Sequence, residues 1–289
     1  MKAAAVAYRR VSTLPEALEL LAGDADARVL SGGQSLLPML NMRLLRPDIL
    51  LDITELPELR TVREHDGVLS LGALVTYREL ERSALIAAQA PLLSQAVRHV
   101  GDLQVRNRGT VGGSIAQADP TAELPLACLV LDGRVTVVSV RGSRQVNLAD
   151  FLLGPYETAL ADDELVTEVQ VSTGPGRSAF AEATRRHNDF AIVSAAATGV
   201  VAADGRIEQL SAGLGGVADT VVLIPGAAAA VTGQRPDEEV LAAAVEICQT
   251  EISPMSDIRA SADYRRHLAG EYFRRVVLEL CGGEGARVA

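Results

Sequence analysis

Apolar and polar positions follow two rhythms along this chain, and each predicts its own elements. Between a cap at Ser12 or Thr13 and a stop at Gly23, with Pro15 in the first turn, Ala17, Leu18, Leu20 and Leu21 fall on one helical stripe. Helical spacing recurs at 36–45, ending before Pro47, and again at 91–100 and 122–131. Short apolar or alternating runs predict strands at 28–30, 48–53, 67–75, 134–140 and 165–171. Residues 101–109 read as a polar loop, and 172–176, Ser-Thr-Gly-Pro-Gly, as a linker. Beyond it, strands at 180–183, 194–203 and 206–214, with an Asp204-Gly205 turn, precede helices at 237–250 and 261–280. Strands first and helices afterwards is α+β order, so the expectation is two domains, 1–175 and 176–289.

Composition narrows the functions available. With 48% hydrophobic and 22% charged residues, 289 residues can build a sizeable core. No apolar run reaches the ~20 residues of a membrane helix, and Tyr8, Arg9 and Arg10 interrupt any signal-peptide core, so a cytoplasmic protein is expected. A net charge of -10 argues against nucleic acid. Lys2 is the only lysine, which removes Walker-type phosphate binding and Schiff-base chemistry unless residue 2 performs them. Cys128, Cys248 and Cys281, with His65, His99, His187 and His267, have no metal-ligand spacing, so no metal site is expected.

Two segments could carry chemistry. Ser31-Gly32-Gly33-Gln34-Ser35 and Thr110-Val111-Gly112-Gly113-Ser114 each join Gly-Gly to small hydroxyl residues. Paired glycines admit positive φ, and backbone N–H groups can then converge on an anion without any cationic side chain. Either segment alone reads as a tight turn; together, each before a helix, they point to a pyrophosphate. Gly213-Leu214-Gly215-Gly216-Val217-Ala218 also fits a dinucleotide fingerprint, but the β-branched run after it and Pro225 leave no helix to meet a phosphate. It reads as a strand-to-turn junction.

Residues 30–48 (LSGGQSLLPMLNMRLLRPD) and 104–125 (QVRNRGTVGGSIAQADPTAELP) closely resemble the FAD-binding medium subunits of the molybdenum hydroxylases, the xanthine dehydrogenase and aerobic carbon monoxide dehydrogenase family. The resemblance continues through 180–197 and 256–266 and spans essentially the whole chain. It implies a vanillyl-alcohol-oxidase-like (PCMH-type) FAD domain of two subdomains, then an antiparallel sheet with helices. By the same resemblance, Ser31, Gly32, Gly33, Gln34, Ser35 and Leu36, with Thr110, Val111, Gly112, Gly113 and Ser114, surround the pyrophosphate. Glu123 meets the ribose, Val166 (beside Leu165) the polar edge of the isoalloxazine, and Phe190 (after Asp189) its side. A lysine that some relatives carry near Ala181 is missing here.

Gln34 is no nucleophile, and the cysteines lie outside the motifs, so the FAD is expected to be held without a covalent bond. The implied function is electron transfer. The chain takes electrons from a small [2Fe-2S] subunit, served in turn by a large molybdopterin subunit, and passes them to an external acceptor; a dimer of heterotrimers is implied. No catalytic residue or metal is assigned to this chain. A stand-alone FAD-dependent reductase of the same fold and a scaffold without flavin are the alternatives. Several residues keep plainer readings: Phe190 as a core aromatic, Glu123 as a first-turn helix residue, and Arg106 and Arg108 as solvated charges or partner contacts.

Overall fold

A computed structural model describes residues 2–23, 26–174, 176–186 and 188–282. His187, and Pro175 of the linker, lie outside the described residues. The first unit winds β1 (Ala7–Arg10), α1 (Leu14–Gly23), β2 (Ala27–Leu30), α2 (Leu36–Asn41) and β3 (Ile49–Asp52) into a parallel sheet of order β1-β3-β2. Its core joins Val11, Leu18 and Leu21 to Leu51, Leu56 and Leu74.

The second unit opens with the hairpin β4 (Val62–His65) and β5 (Val68–Gly72). Six helices follow: α3 (Tyr77–Arg82), α4 (Ala84–Gln89), α5 (Pro91–Val97), α6 (Leu103–Arg108), α7 (Val111–Gln117) and α8 (Glu123–Val130). Strands β6 (Arg134–Ser139) and β7 (Gly142–Asn147), the turn-like α9 (Leu148–Phe151), the short pair β8 (Leu152–Gly154) and β9 (Glu157–Thr158), and β10 (Leu165–Ser172) complete it. The sheet order β4-β5-β10-β6-β7 is antiparallel.

Two expectations fail in this unit. Residues 103–108 are the helix α6 and not a loop; Asp102 caps it by accepting from the Val105 N–H at 3.0 Å. Gly112 and Gly113 lie in the first turn of α7 without positive φ, so they form a helix start and not a left-handed loop.

The C-terminal unit is an antiparallel sheet of β11 (Arg177–Ala183), β12 (Val193–Val201), β13 (Ile207–Gly215) and β14 (Val222–Leu223), followed by α10 (Pro225–Val231), α11 (Glu238–Thr250) and α12 (Ala262–Leu280). Strand parity sorts its two faces. Ala179, Ala181, Ala195 and Ala197 pack into the unit's own core with Phe273 and Val277, while Phe180 and Ala196, paired in register, join the core of the second unit. Both faces are covered, which is why these strands read as nearly continuous apolar runs. The glycines of 213–216 serve this boundary: a Cβ on Gly213 would press on Leu126 and Val130 of α8 at 3.0 Å, and the Gly216 N–H donates to the Pro120 carbonyl. The segment is a junction, as the sequence predicts, and not a nucleotide loop.

Candidate functional site

The three units surround one cavity of about 710 Å³, within the range of small-molecule and cofactor sites. Thirteen of the fourteen residues named from the sequence line it: Ser31, Gly32, Gly33, Gln34, Ser35, Leu36, Thr110, Gly112, Gly113, Ser114, Glu123, Val166 and Phe190. Val111 does not; its side chain is fully buried in the core behind α7. Ala181, too, sits in the C-terminal core and not on the cavity wall.

The two glycine segments do different work. After β2 the chain turns at Gly33 with φ +73°, a left-handed conformation that a side chain rarely adopts. A Cβ on the preceding Gly32 would collide with the carbonyl of Arg108, so this loop lies directly against the end of α6. Gln34 folds back and donates from Nε2 to the Gly32 carbonyl at 3.1 Å. Among the described residues, no protein acceptor meets the N–H of Gly32, Gly33, Gln34, Ser35 or Leu36. Five consecutive open donors are what an anion needs where lysine is missing.

At α7 the N–H groups are already used. Val111 donates to the Val75 carbonyl, Gly112 to that of Ala73, both at 2.9 Å, and Gly113 to the Thr110 hydroxyl at 3.2 Å. The nest inferred at this second segment is therefore absent, and its glycines answer to space. A Cβ on Gly112 would stand 2.5 Å from that of Ala73, and one on Gly113 2.8 and 2.9 Å from the hydroxyls of Thr110 and Ser31. Those hydroxyls are bonded to each other at 3.2 Å across 79 residues of chain, which ties the two segments together. What α7 offers an anion is hydroxyl groups.

Residues without a sequence signal complete the wall. Tyr156, itself at φ +61°, donates from its phenol to Asp119 at 3.4 Å. The segment from Ala159 to Glu164 is pinned from β7, where Arg144 grips the Glu164 carboxylate at 2.7 and 2.6 Å and also donates to the Ala159 carbonyl. That guanidinium holds the Glu164 carboxyl below the usual carboxylate range. Tyr77 contributes its buried ring; burial pushes its phenol up and keeps it neutral.

The C-terminal unit supplies Asn188, Asp189 and Phe190. Phe190 is 61% exposed, so it is no core aromatic. Arg259 lies 5.1 Å from its ring centroid, with Asp189 3.6 Å from the same guanidinium. Behind them Arg265 of α12, 4% exposed, donates to the carbonyls of Ile192 and Gly216 and pairs with Asp257 at 2.8 Å. A buried cation thus ties the segment just after Phe190 to the turn at Gly216. This explains much of the 256–266 motif.

Arg106 is also structural: its Nη1 donates to the carbonyls of Val100 and Gly101, and Glu81 lies 3.5 Å from its Nε. The side chain of Arg108 is exposed. No cysteine lines the cavity, and burial pushes the Cys128 and Cys248 thiols up to about 12, so neither is an available nucleophile. Among the described residues no group of three His, Cys, Asp or Glu side chains could hold a metal, and no helix is long and apolar enough to cross a membrane.

The cavity fits a dinucleotide: open backbone donors and hydroxyls at the glycine segments, a buried carboxylic acid at Glu123 and an exposed aromatic at Phe190. Comparison with known proteins agrees. Residues 4–173 match the family model for the FAD binding domain in molybdopterin dehydrogenase, and 178–280 the CO dehydrogenase flavoprotein C-terminal domain. The chain is 36% identical to the nicotine 6-hydroxylase medium subunit of Paenarthrobacter nicotinovorans, covering 96% of this chain and 98% of that one. It is likewise 36% identical to the glyceraldehyde dehydrogenase medium chain of Sulfolobus acidocaldarius, over 90% and 93%. The crystal structure of quinoline 2-oxidoreductase from Pseudomonas putida 86 superposes with a TM-score of 0.94 at 36% identity, over 98% and 99% of the two chains. The chain belongs to the family of FAD-binding medium subunits of the molybdenum hydroxylases.

Proposed function

We propose that this chain is the electron-relay subunit of a three-subunit oxidoreductase and that it holds one FAD, without a covalent bond, in the cavity between its three units. The observation that carries this reading is the run of five open N–H groups at Gly32–Leu36, in a segment that lines the same cavity as Ser31, Thr110 and Ser114 with their hydroxyls. These would hold the diphosphate, Glu123 the ribose, and Val166 and Phe190 the isoalloxazine. FAD supplies a centre that accepts one or two electrons; the protein positions it and tunes its surroundings.

A small [2Fe-2S] subunit and a large molybdopterin subunit are the partners, arranged as a dimer of heterotrimers. Substrate is chosen on the large subunit. Relatives named for nicotine, glyceraldehyde and quinoline match this chain at the same 36% identity, so these matches favour none of those substrates over another.

The isolated chain, loaded with FAD, should oxidise none of the complex's substrates, yet its reduced flavin should still pass electrons to a dye. Three scattered cysteines cannot hold an ordinary four-thiolate cluster, and no metal group exists among the described residues. The assay compares the lone chain with the reconstituted complex. Bleaching of the flavin by substrate in the lone chain would overturn the relay reading.

Phe190→Ala should shift the flavin's visible spectrum and potential while changing apoprotein stability by less than about 1 kcal/mol, against the ~3–5 kcal/mol of a core aromatic. Absorption spectra and denaturant melts of the same variant check both halves. A large loss of stability with an unchanged spectrum would return Phe190 to a packing role.

A further inference from the structure

Leu165 and Val166 line the cavity although their side chains are buried, that of Leu165 in the core of the first unit and that of Val166 in the core of the second. Their share of the wall is therefore largely backbone. Here β10 pairs with β6 alone, Leu165 with Val138 and Val166 with Val137, and its pairing with β5 begins only at Glu168. One edge of the strand is thus without a strand partner at these two residues. The register then shifts between Val166 and Glu168, which leaves Thr167 as an extra residue, a bulge. Its carbonyl accepts from the Ala73 N–H at 2.9 Å, and its hydroxyl donates to the Thr136 carbonyl at 3.3 Å. Before the open edge stands Glu164, 7% exposed. Arg144 on β7 shares a cross-strand row with Val137 and Val166 and donates to both Glu164 oxygens, Nε to Oε1 at 2.7 Å and Nη2 to Oε2 at 2.6 Å. The same Nη2 donates to the Ala159 carbonyl at 2.6 Å, and the Ala161 N–H donates to Oε2 at 2.9 Å. The open edge is therefore held at both ends, by a bulge after it and a bidentate ion pair before it.

We propose that Arg144 is a positioning residue for the flavin ring: through Glu164, its fork fixes the open edge of β10 that receives the polar edge of the isoalloxazine. This rests on the FAD reading above. That edge of the ring carries N–H and C=O groups, the chemistry an unpaired strand edge recognises. Such hydrogen bonds weaken steeply with distance and angle, so the ring end of the site depends on where residues 165 and 166 stand. Arg144 is not itself part of the cavity wall, so it acts on the ligand only through Glu164 and the strand. The diphosphate end is built from other elements, the Gly32–Leu36 segment and the start of α7. Loosening the fork should therefore disturb one end of the ligand and spare the other.

The test titrates the FAD-stripped full chain with two probes: FAD, and ADP, which carries the adenine, ribose and diphosphate but no ring. Arg144→Met should weaken FAD by about tenfold, shift the visible bands of the flavin that still binds, and leave the Kd of ADP within about twofold. Removing the cation also leaves Glu164 buried without its partner, which destabilises the fold by itself. The double variant Arg144→Met, Glu164→Gln removes that lone carboxylate and restores the wild-type net charge. It should recover stability in denaturant melts yet keep the loss confined to FAD, because the fork that holds Ala159 and residue 164 is still missing. FAD and ADP weakened alike, or a double variant that regains wild-type FAD affinity and spectrum, would overturn the positioning role and leave the FAD site standing. A wild-type chain that fails to bind FAD would overturn both readings.

Discussion

Gly33→Val should leave the chain folded and nearly free of FAD, with an affinity loss on the order of 100-fold, about 2.7 kcal/mol. Gly33 is at φ +73°, where a β-branched residue costs roughly 1–3 kcal/mol in strain alone. Its new methyls would also press on Leu30 and Leu37, each already about 3.2 Å from the position of a Cβ. The loop would relieve both only by changing the backbone path that carries its open N–H groups. Gly33→Asn is the control, because asparagine tolerates left-handed backbone, and it should keep most of the FAD. Flavin content per folded chain and Kd by fluorescence quenching decide the matter. Equal flavin content in Gly33→Val and the wild type would reduce the segment to a turn.

Arg265→Met should produce the largest loss of stability, about 3–5 kcal/mol, or on the order of 10 °C in Tm. The guanidinium is 4% exposed and satisfies two loop carbonyls, Ile192 and Gly216, as well as Asp257. Methionine fills similar space and donates nothing, so buried acceptors are left without partners. Those loops carry Phe190 and abut Pro120, so the surviving folded protein should also show an altered flavin spectrum. Calorimetric melts with and without FAD would check this. A shift below about 2 °C would mean that the loops hold without the cation.

The elements legible in the sequence are those that bury a regular stripe. The stretch from the Ser12 or Thr13 cap to Gly23, like residues 237–250 and 261–280, reads as a helix because its apolar positions recur at helical spacing, and the folded helices are Leu14–Gly23, Glu238–Thr250 and Ala262–Leu280. Strands β12 and β13 announce themselves by apolar runs around Asp204-Gly205. Elements without a buried stripe stay hidden. The helix α6 buries no side chain and depends on its Asp102 cap, on Arg106 beneath it and on the Gly32 contact at its end. The edge strands β1 and β7 are mostly exposed, so their composition resembles loops. The predicted helix at 36–45 stops at Asn41, two residues before Arg43 adopts φ +60°.

At the site, glycine pairs and hydroxyls were legible because they are contiguous in sequence, whereas their division of labour was not. Whether an N–H is open or bonded depends on chain 36 to 39 residues away, here Val75 and Ala73. Tyr156 and the 159–164 wall were hidden for the same reason: Asp119 and Arg144, which hold them, are distant in sequence.

The cavity should carry FAD held without any covalent bond. Acid precipitation of the purified yellow protein, with chromatography of the supernatant, tests it most directly. Intact FAD should appear in solution at about one per chain, because Gln34 occupies the loop position where a nucleophile would be needed and no cysteine lines the cavity. A colourless protein, or flavin that stays with the pellet, would contradict the account.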